Sequence, residues 1–342
     1  MTGAGMTAGP TVLTVLLNWR TADMTLQAAE AAERAMAGIA GGIVVVDNDS
    51  GDGSFERMSE ALADRPRFRV VQSGWNGGFG AGNNVGIRLG LPDGSRPDYV
   101  YILNSDAFPA ADAIRLLRDY LEAHPKVGFA GSYIHGPDGE AHQTCFRFPS
   151  VASELEVAAR TGPISRLLAH RTVALPVPEA TGPVDWLAGA SLMMRDSVLR
   201  DIGLFDETFF LYFEETDLCH RAAQAGWPTH FVRESRVEHI GSVSTGMKAW
   251  RRVPGYWFDS RWHYFSKTGG TSRAVAATLA HVTGGLILRL RRLVRPSIPP
   301  GAPHFLRDLL GHAARQLLRP ARKSQASGTK LELAAQGDKD GR

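Results

Sequence analysis

The sequence predicts an α/β protein: a doubly wound, mostly parallel sheet followed by a C-terminal helical appendage. Three observations carry this reading. Short apolar runs without internal polarity alternate with helix-like segments five times over the first ~130 residues, the signature of a parallel sheet covered on both faces. Polar clusters at 18–20, 47–54, 73–84 and 104–106 each fall at the carboxyl end of such a run, where sheets of this kind bind ligands. Beyond residue 268 the alternation stops and arginine-rich amphipathic segments take over.

Residues 1–10 are small and read as a flexible N-terminus. Thr11–Leu17 is the first buried strand, followed by Asn18-Trp19-Arg20 and an alanine-rich helix to about Ala37. Gly41-Gly42 breaks that helix ahead of a second strand, Ile43–Val46. A polar turn, Asp47–Ser54, leads into a helix over Phe55–Ala63, and Phe68–Gln72 is the third strand. A glycine-rich turn, Gly74–Asn84, precedes a helix to about Leu89. Asp98–Leu103 is the fourth strand, then come a helix over Ala111–Ala123 and a strand over Lys126–Gly131. Ser132–Pro149 is hairpin-like, and 150–181, weakly periodic and broken by prolines, reads as a mobile excursion over the site. Val184–Met194 resumes as a strand interrupted at Gly189-Ala190, followed by a helix over Asp196–Ile202. Pro228–Val232 and Arg236–His239 are two short strands, and the aromatic-rich stretch 255–267 is a packed helix.

The chain's 342 residues suffice for one large domain with an appendage. A net charge of +3 gives no reason to expect a nucleic-acid partner. Two cysteines, Cys145 and Cys219, make neither a disulfide framework nor a zinc site. The longest apolar run near the N-terminus, Val12–Leu17, is too short for a signal peptide or a membrane span, so a cytoplasmic protein is expected.

Asp47 ends a buried strand, where a rigidly held acid can accept hydrogen bonds from a nucleobase or a ribose. Asp52 and Ser54 read instead as a helix cap and turn. The run Asn76–Asn84 lets backbone approach a ligand and opens a helix whose N-terminus favours an anion. It follows the third strand and not the first, which argues against a dinucleotide-binding dehydrogenase. Asn104-Ser105-Asp106 sets a carboxylate where a diphosphate and its Mg²⁺ or Mn²⁺ can sit, although the same tripeptide makes a good turn. His239, ending a later strand, is a second candidate ligand, with a structural histidine as the alternative.

The stretch Phe209–Arg221 brings four aromatic residues directly against Glu214, Glu215 and Asp217. A helix starting near Glu214 puts Glu214, Asp217, Leu218 and Arg221 on one face, with Glu215 about 100° away. Such a cluster suits a site that holds a polar ring and removes a proton. The same acids equally suit the first turn of any helix, where they complement its dipole.

Taken together, the ordered set Val46-Asp47-Asn48, Asn76…Gly78-Phe79-Gly80…Asn84, Leu103-Asn104-Ser105-Asp106, Trp186…Gly189-Ala190, Phe205-Asp206-Glu207, Phe209–Leu218 and His239 resembles the family 2 glycosyltransferases. Within that family the chain is most similar to a bacterial rhamnosyltransferase-like branch, over residues 11–267. The resemblance implies a GT-A-type fold, with a nucleotide-binding half at 11–131 and an acceptor-binding half at 132–267. It implies sugar transfer with inversion from a dTDP- or UDP-linked donor to a glycan or lipid-linked acceptor, with a divalent cation as cofactor. It places the nucleotide sugar against Asn18, Asp47, Asn76, Gly78, Phe79, Asn84, Asn104 and Asp106, and the acceptor against Trp186, Gly189, Ala190 and Tyr212. The metal falls to Asp106 and His239, and the general base to Glu215, with Glu214 and Asp217 as alternatives. The usual second acid of the family's pair is Asp, so Glu215 reaches one methylene further.

Two other readings compete: a nucleotidyltransferase sharing the nucleotide-binding half, for which Arg20 is thin support, and a catalytically silent membrane-associated glycan-binding module, which the intact carboxylates disfavour. The segment 268–322 is expected to form amphipathic basic helices. Their stripe of Leu279, Val282, Leu286, Ile287, Leu290 and Leu293 suits an anionic membrane face through 274–319 as well as it suits packing on the protein. Residues 323–342 are expected to be disordered.

Overall fold

A computed structural model describes residues 9–241 and 251–319. The expectations for residues 1–8 and 323–342 therefore lie outside the described residues. The first half alternates as expected: β1 (Val12–Asn18), α1 (Ala22–Ala35), β2 (Gly41–Asp47), α2 (Ser54–Leu62), β3 (Phe68–Gln72), α3 (Gly78–Leu89) and β4 (Tyr99–Asn104). Next come β5 (Ala107–Pro109), α4 (Ala113–Ala123), β6 (Phe129–His135), β7 (Cys145–Phe146), α5 (Val151–Ala159) and α6 (Gly162–Leu167). The second half holds β8 (Gly182–Val184), β9 (Trp186–Leu187), β10 (Ser191–Arg195), α7 (Asp196–Ile202), α8 (Glu214–Gln224), β11 (Thr229–His239), α9 (Gly255–Val294) and α10 (Phe305–Leu318).

The main sheet runs β3-β2-β1-β4-β10-β6-β11-β5, with β8 added to β11. β3, β2, β1 and β4 pair in parallel, as do β6 and β11, while β10, β5 and β8 run against their neighbours. Alternate side chains of each strand enter opposite cores. Val12, Leu16, Ile43, Val45, Tyr99 and Tyr101 meet Ala28 of α1, Met58 of α2 and Leu117 of α4. Leu13, Val15, Val44, Val46, Val100 and Ile102 meet Ile87 of α3, Leu199 of α7 and Leu218 of α8. Both faces are covered, which is why these strands read as unbroken apolar runs. Cys145 and Cys219 are buried and free.

Four local expectations change. The glycine-rich segment is mostly helix: α3 starts at Gly78, and Gly82 and Gly86 keep its inner face flat against the sheet. A Cβ on Gly82 would lie 2.4 Å from the Leu17 side chain, and one on Gly86 2.6 Å from that of Val15. Pro228–Val232 and Arg236–His239 form one strand, β11, with an irregularity between Val232 and Arg236. The segment expected as a mobile excursion contains α5, started by a reciprocal Ser150–Ser153 capping box and packed on α9. Glu154 of α5 is buried and accepts hydrogen bonds from Arg261 (2.9 Å) and His281 (2.7 Å), both on α9.

The fourth change concerns the appendage. α9 continues past residue 267, kinked at Gly269 and Gly270, where Gly270 takes φ +75°. Its inner side, Ala274, Ala277, Gly284, Gly285 and Leu288, is buried; a Cβ on Gly284 would lie 2.6 Å from the Leu155 carbonyl oxygen, and one on Gly285 2.7 Å from Leu306. Leu279, Leu286, Leu290 and Leu293 point outward and are exposed. Among the described residues no helix is long and apolar enough to cross a membrane.

Candidate active site

A cavity of about 830 Å³ opens at the carboxyl ends of β1, β2 and β4. Trp19 and Asn48 follow β1 and β2, Asn76 and Phe79 flank the start of α3, and Asn104 and Asp106 lie at the β4–β5 turn. The opposite wall is made by Ala188 and Ala190 ahead of β10, by Phe210 and Tyr212 ahead of α8, and by Tyr256 in the first turn of α9. His142 and Gln143, from the loop before β7, complete the rim. Of the residues singled out in the sequence, Asn76, Gly78, Phe79, Asn104, Asp106, Ala190, Tyr212 and His239 therefore meet in one space.

Asn18 and Asp47 stand behind that wall, fully buried. Asp47 Oδ1 accepts from Asn18 Nδ2 (2.7 Å) and Ser50 Oγ (2.6 Å), and its Oδ2 from the Ser50 N–H (3.0 Å). Asn18 Oδ1 accepts from Thr25 Oγ1 at 2.7 Å. This closed network ties the tips of β1 and β2 together and fixes the loop that presents Asn48. Asn48 Nδ2 donates to Asn76 Oδ1 (3.0 Å) and the Gly78 carbonyl (3.2 Å), while its Oδ1 is buried without a partner. Asp47, expected to contact the nucleotide directly, does not line the cavity because its oxygens are taken by Asn18 and Ser50; Asn48 lines it instead.

Asp106 and His239 are adjacent: His239 Nε2 lies 3.0 Å from Asp106 Oδ1, and Asp106 Oδ2 accepts the Gly241 N–H at 3.1 Å. Burial would raise the Asp106 carboxyl, but the hydrogen bond and charge of His239 outweigh it, and the acid is held below its ordinary value. Asn104 Oδ1 beside them is buried and unsatisfied. A carboxylate and an imidazole lining one cavity, with an orphaned amide oxygen beside them, would fit a Mn²⁺ or Mg²⁺ that also takes phosphate oxygens.

The acidic stretch enters α8 through two consecutive left-handed residues, Tyr212 (φ +69°) and Phe213 (φ +70°), a costly conformation for side chains of this size. It is braced from α3. Gly78 takes φ +83°, a Cβ there would lie 1.7 Å from the Phe210 carbonyl oxygen, and that oxygen accepts the Phe79 N–H at 2.9 Å. Gly78 therefore serves the loop before α8 as much as the cavity. The expected anion cradle at the start of α3 is partly spent, since the Gly78 N–H goes to Asn76 Oδ1 and the Phe79 N–H to Phe210.

Glu214 and Glu215 open α8 side by side. Glu214 is buried with Oε2 unpartnered. Glu215 lies under Gly189, whose N–H donates to its Oε1 at 3.4 Å, and its Oε2 is unpartnered as well. Burial, then the neighbouring Glu215 charge, pushes the Glu214 carboxyl well above the usual range. Burial raises Glu215 too, but the N–H groups of Glu215 and Gly189 hold it back. Of the two, Glu215 is the one that more readily ionises.

Three expected site residues are placed elsewhere. Asp217 is a buried ion-pair partner of Arg221 (2.8 Å) and Lys267 (2.9 Å), so both its oxygens are spent and it is unsuited to act as the base. Asn84 donates to the Phe205 carbonyl (2.9 Å) and Glu207 (2.8 Å) and accepts the Phe205 N–H, bracing α3 to the segment before α8 away from the cavity. Trp186 stacks on Phe146 at 4.2 Å and donates its indole N–H to the Arg147 carbonyl, and it does not line the cavity. Sequence reading missed Asn48, His142, Gln143 and Tyr256. Asn48 and Tyr256 had a signal, in the polar turn after β2 and in the aromatic run of α9; His142 and Gln143 had none.

A family model described as glycosyltransferase like family 2 matches residues 18–253. The N-acetylglucosaminyl-diphospho-decaprenol L-rhamnosyltransferase of Mycobacterium tuberculosis is 29% identical over 266 residues, 75% of this chain and 84% of the relative. Rhamnosyltransferase WbbL of Escherichia coli is 27% identical over 166 residues, 47% of this chain and 60% of the relative. Among solved structures, the mannosyltransferase PcManGT from Pyrobaculum calidifontis, in complex with GDP-Man and Mn²⁺, superposes with a TM-score of 0.53 at 16% identity, covering 92% of this chain and 82% of that one. That likeness gives the fold, which is of the GT-A type. Matched by the family model through most of its length, the chain belongs to the family 2 glycosyltransferases.

Proposed function

We propose that the protein is an inverting, metal-dependent glycosyltransferase that moves L-rhamnose from a dTDP- or UDP-linked donor to a hydroxyl of a lipid-linked acceptor or surface glycan. The observation that carries this reading is the unpartnered Glu215 oxygen beneath Gly189, whose neighbours Ala188 and Ala190 line the same cavity as Asp106 and His239. The acceptor oxygen attacks the anomeric carbon as the bond to the diphosphate oxygen breaks, and its proton passes to Glu215 Oε2. A hydroxyl is a poor nucleophile, so this transfer must accompany attack. Phe210, Tyr212 and Tyr256 give the aromatic surface on which a sugar ring stacks. Asp106, His239 and Asn104 would hold a divalent cation, which would supply charge neutralisation for the departing diphosphate. Gly189 keeps the floor low: a Cβ there would lie 3.0 Å from the Phe79 ring and 3.7 Å from Glu215 Oε1. The rhamnosyl assignment is supported by the two relatives' activities.

We also place the protein at the inner face of the cytoplasmic membrane, with the outward leucines of α9 and the arginines 289, 292 and 295 against an anionic surface. Removing α9 would expose its packed inner side, so the test is Leu290→Glu with Leu293→Glu and sedimentation with anionic liposomes; unchanged binding would refute the placement. For the activity, a panel of nucleotide sugars is assayed for transfer with and without Mn²⁺. The reading expects turnover with one donor and loss in Asp106→Ala. Absence of turnover with every donor, or wild-type behaviour of that variant, would overturn it.

A further inference from the structure

A second hollow, of about 480 Å³, lies between α5, the distal half of α9 and the loop leading into α10. We propose that it receives the first part of the apolar chain of the lipid-linked acceptor, with the acceptor's phosphates at its mouth; this rests on the transferase reading above. Its walls are Val157, Ala158, Trp257, Leu288, Phe305 and Leu306, a lining with little polar character. The polar groups at its floor are already satisfied, because Glu154 accepts from both Arg261 and His281. An apolar chain at this floor therefore enters without stripping Glu154 of its partners. Arg160, Arg289 and Arg292 line the same hollow, and no acid but Glu154 does. The match is to an amphiphile with an anionic head. The volume falls within the range of ligand pockets, enough for the proximal units of a chain and not for a long one. The outward side of α9, with Leu286, Leu290 and Leu293 exposed, offers the remainder a path toward a bilayer.

Position ties this hollow to the catalytic cavity. Trp257 lines the hollow, and its neighbour Tyr256 lines the cavity. The Trp257 ring packs at 6.1 Å on Phe213, the left-handed residue directly before Glu214 and Glu215, and at 5.5 Å on Phe305. Trp257 thus joins the wall of the hollow to the residue that opens α8. The glycines of α9 support the arrangement, since Gly285 allows Leu306 to close one wall.

The experiment uses the full chain and a photoreactive prenyl diphosphate, with the labelled peptides mapped by mass spectrometry; no sugar transfer is needed. The expected result is label on α5, α9 and the 300–306 loop, competed by unlabelled prenyl diphosphate and not by phosphatidylglycerol vesicles. Val157→Trp, at a position 55% exposed and so tolerant of bulk, should cut the yield about tenfold by filling the hollow, and Arg289→Glu should do so by reversing charge at its mouth. Label in the hollow with every donor inert would retire the transferase reading and leave this site standing. Transfer with label elsewhere, competition by the vesicles alone, or undiminished labelling of both folded variants would overturn the proposal.

Discussion

Replacing Gly78 with alanine tests how the two halves of the site are joined. The residue sits at φ +83°, where an alanine costs about 1 kcal/mol in backbone strain. Its Cβ would lie 1.7 Å from the Phe210 carbonyl oxygen, which must retreat by roughly 1.5 Å before ordinary contact is restored. That retreat breaks the 2.9 Å hydrogen bond from the Phe79 N–H, worth about 1 kcal/mol more. The sum of roughly 2 kcal/mol should lower the melting temperature by several degrees. The effect on transfer should be larger in proportion, because Phe210 and Tyr212 move with the carbonyl and carry the entry to α8 with them. A displacement of about 1 Å in a positioning element can cost about a hundredfold in rate. Melting curves and steady-state transfer kinetics on Gly78→Ala are the assay. A variant with wild-type melting temperature and wild-type kcat/KM would refute the reasoning, since no packing of an alanine there leaves the Phe210 carbonyl where it is.

Three further outcomes follow from named contacts. Lys267→Met removes the ammonium that bridges Asp206 (2.7 Å) and the buried Asp217 (2.9 Å), and should cost roughly 2 kcal/mol in urea unfolding while leaving the donor KM unchanged. Burial alone would raise the Asp206 carboxyl, but His263 and Lys267 hold it well below the usual range. Its ion pairing should therefore be intact at neutral pH and fade as pH falls below that range, and Lys267→Met should flatten the acid limb of stability against pH. Because Glu215 is raised and must be ionised to accept a proton, kcat should rise with pH through an apparent value above that of an ordinary glutamate. Glu214 is still protonated while Glu215 titrates, so Glu214→Gln should leave this limb close to where it is; a limb displaced to lower pH would show that Glu214 ionises first and overturn the assignment. His239→Ala should raise the Mn²⁺ concentration for half-maximal activity at least about tenfold, read by metal titration of transfer.

The fold was largely legible because strands covered on both faces carry no polar alternation, and β1, β2 and β4 show none. The start of α8 was legible too, from the jump between an aromatic run and three acids. What the sequence hides is partnership. Asp217 and Glu215 are two residues apart and alike in chemistry, yet Lys267, fifty positions on, claims the first and nothing claims Oε2 of the second. Asn84 looked like a ligand residue because asparagine beside glycines is usual in binding turns; its true partner, Phe205, lies in a segment far along the chain. Only the first turns of α3, from Gly78, were hidden, because glycine disfavours helix intrinsically, whereas the sheet beneath leaves no room for a Cβ at Gly82 or Gly86. The helix α5 carried a readable start at Ser150, obscured by the prolines that follow it.

The central claim is that Glu215 takes the acceptor's proton while Asp217 only braces the helix that carries it. Single-turnover transfer by Glu215→Gln and by Asp217→Asn, each with donor affinity measured separately, tests this most directly. The account predicts that Glu215→Gln binds donor normally and loses at least about a hundredfold in the chemical step, whereas Asp217→Asn loses stability and retains most of its rate once folded. A Glu215→Gln enzyme with a near-normal chemical step, or an Asp217→Asn enzyme that is stable and inert, would contradict it.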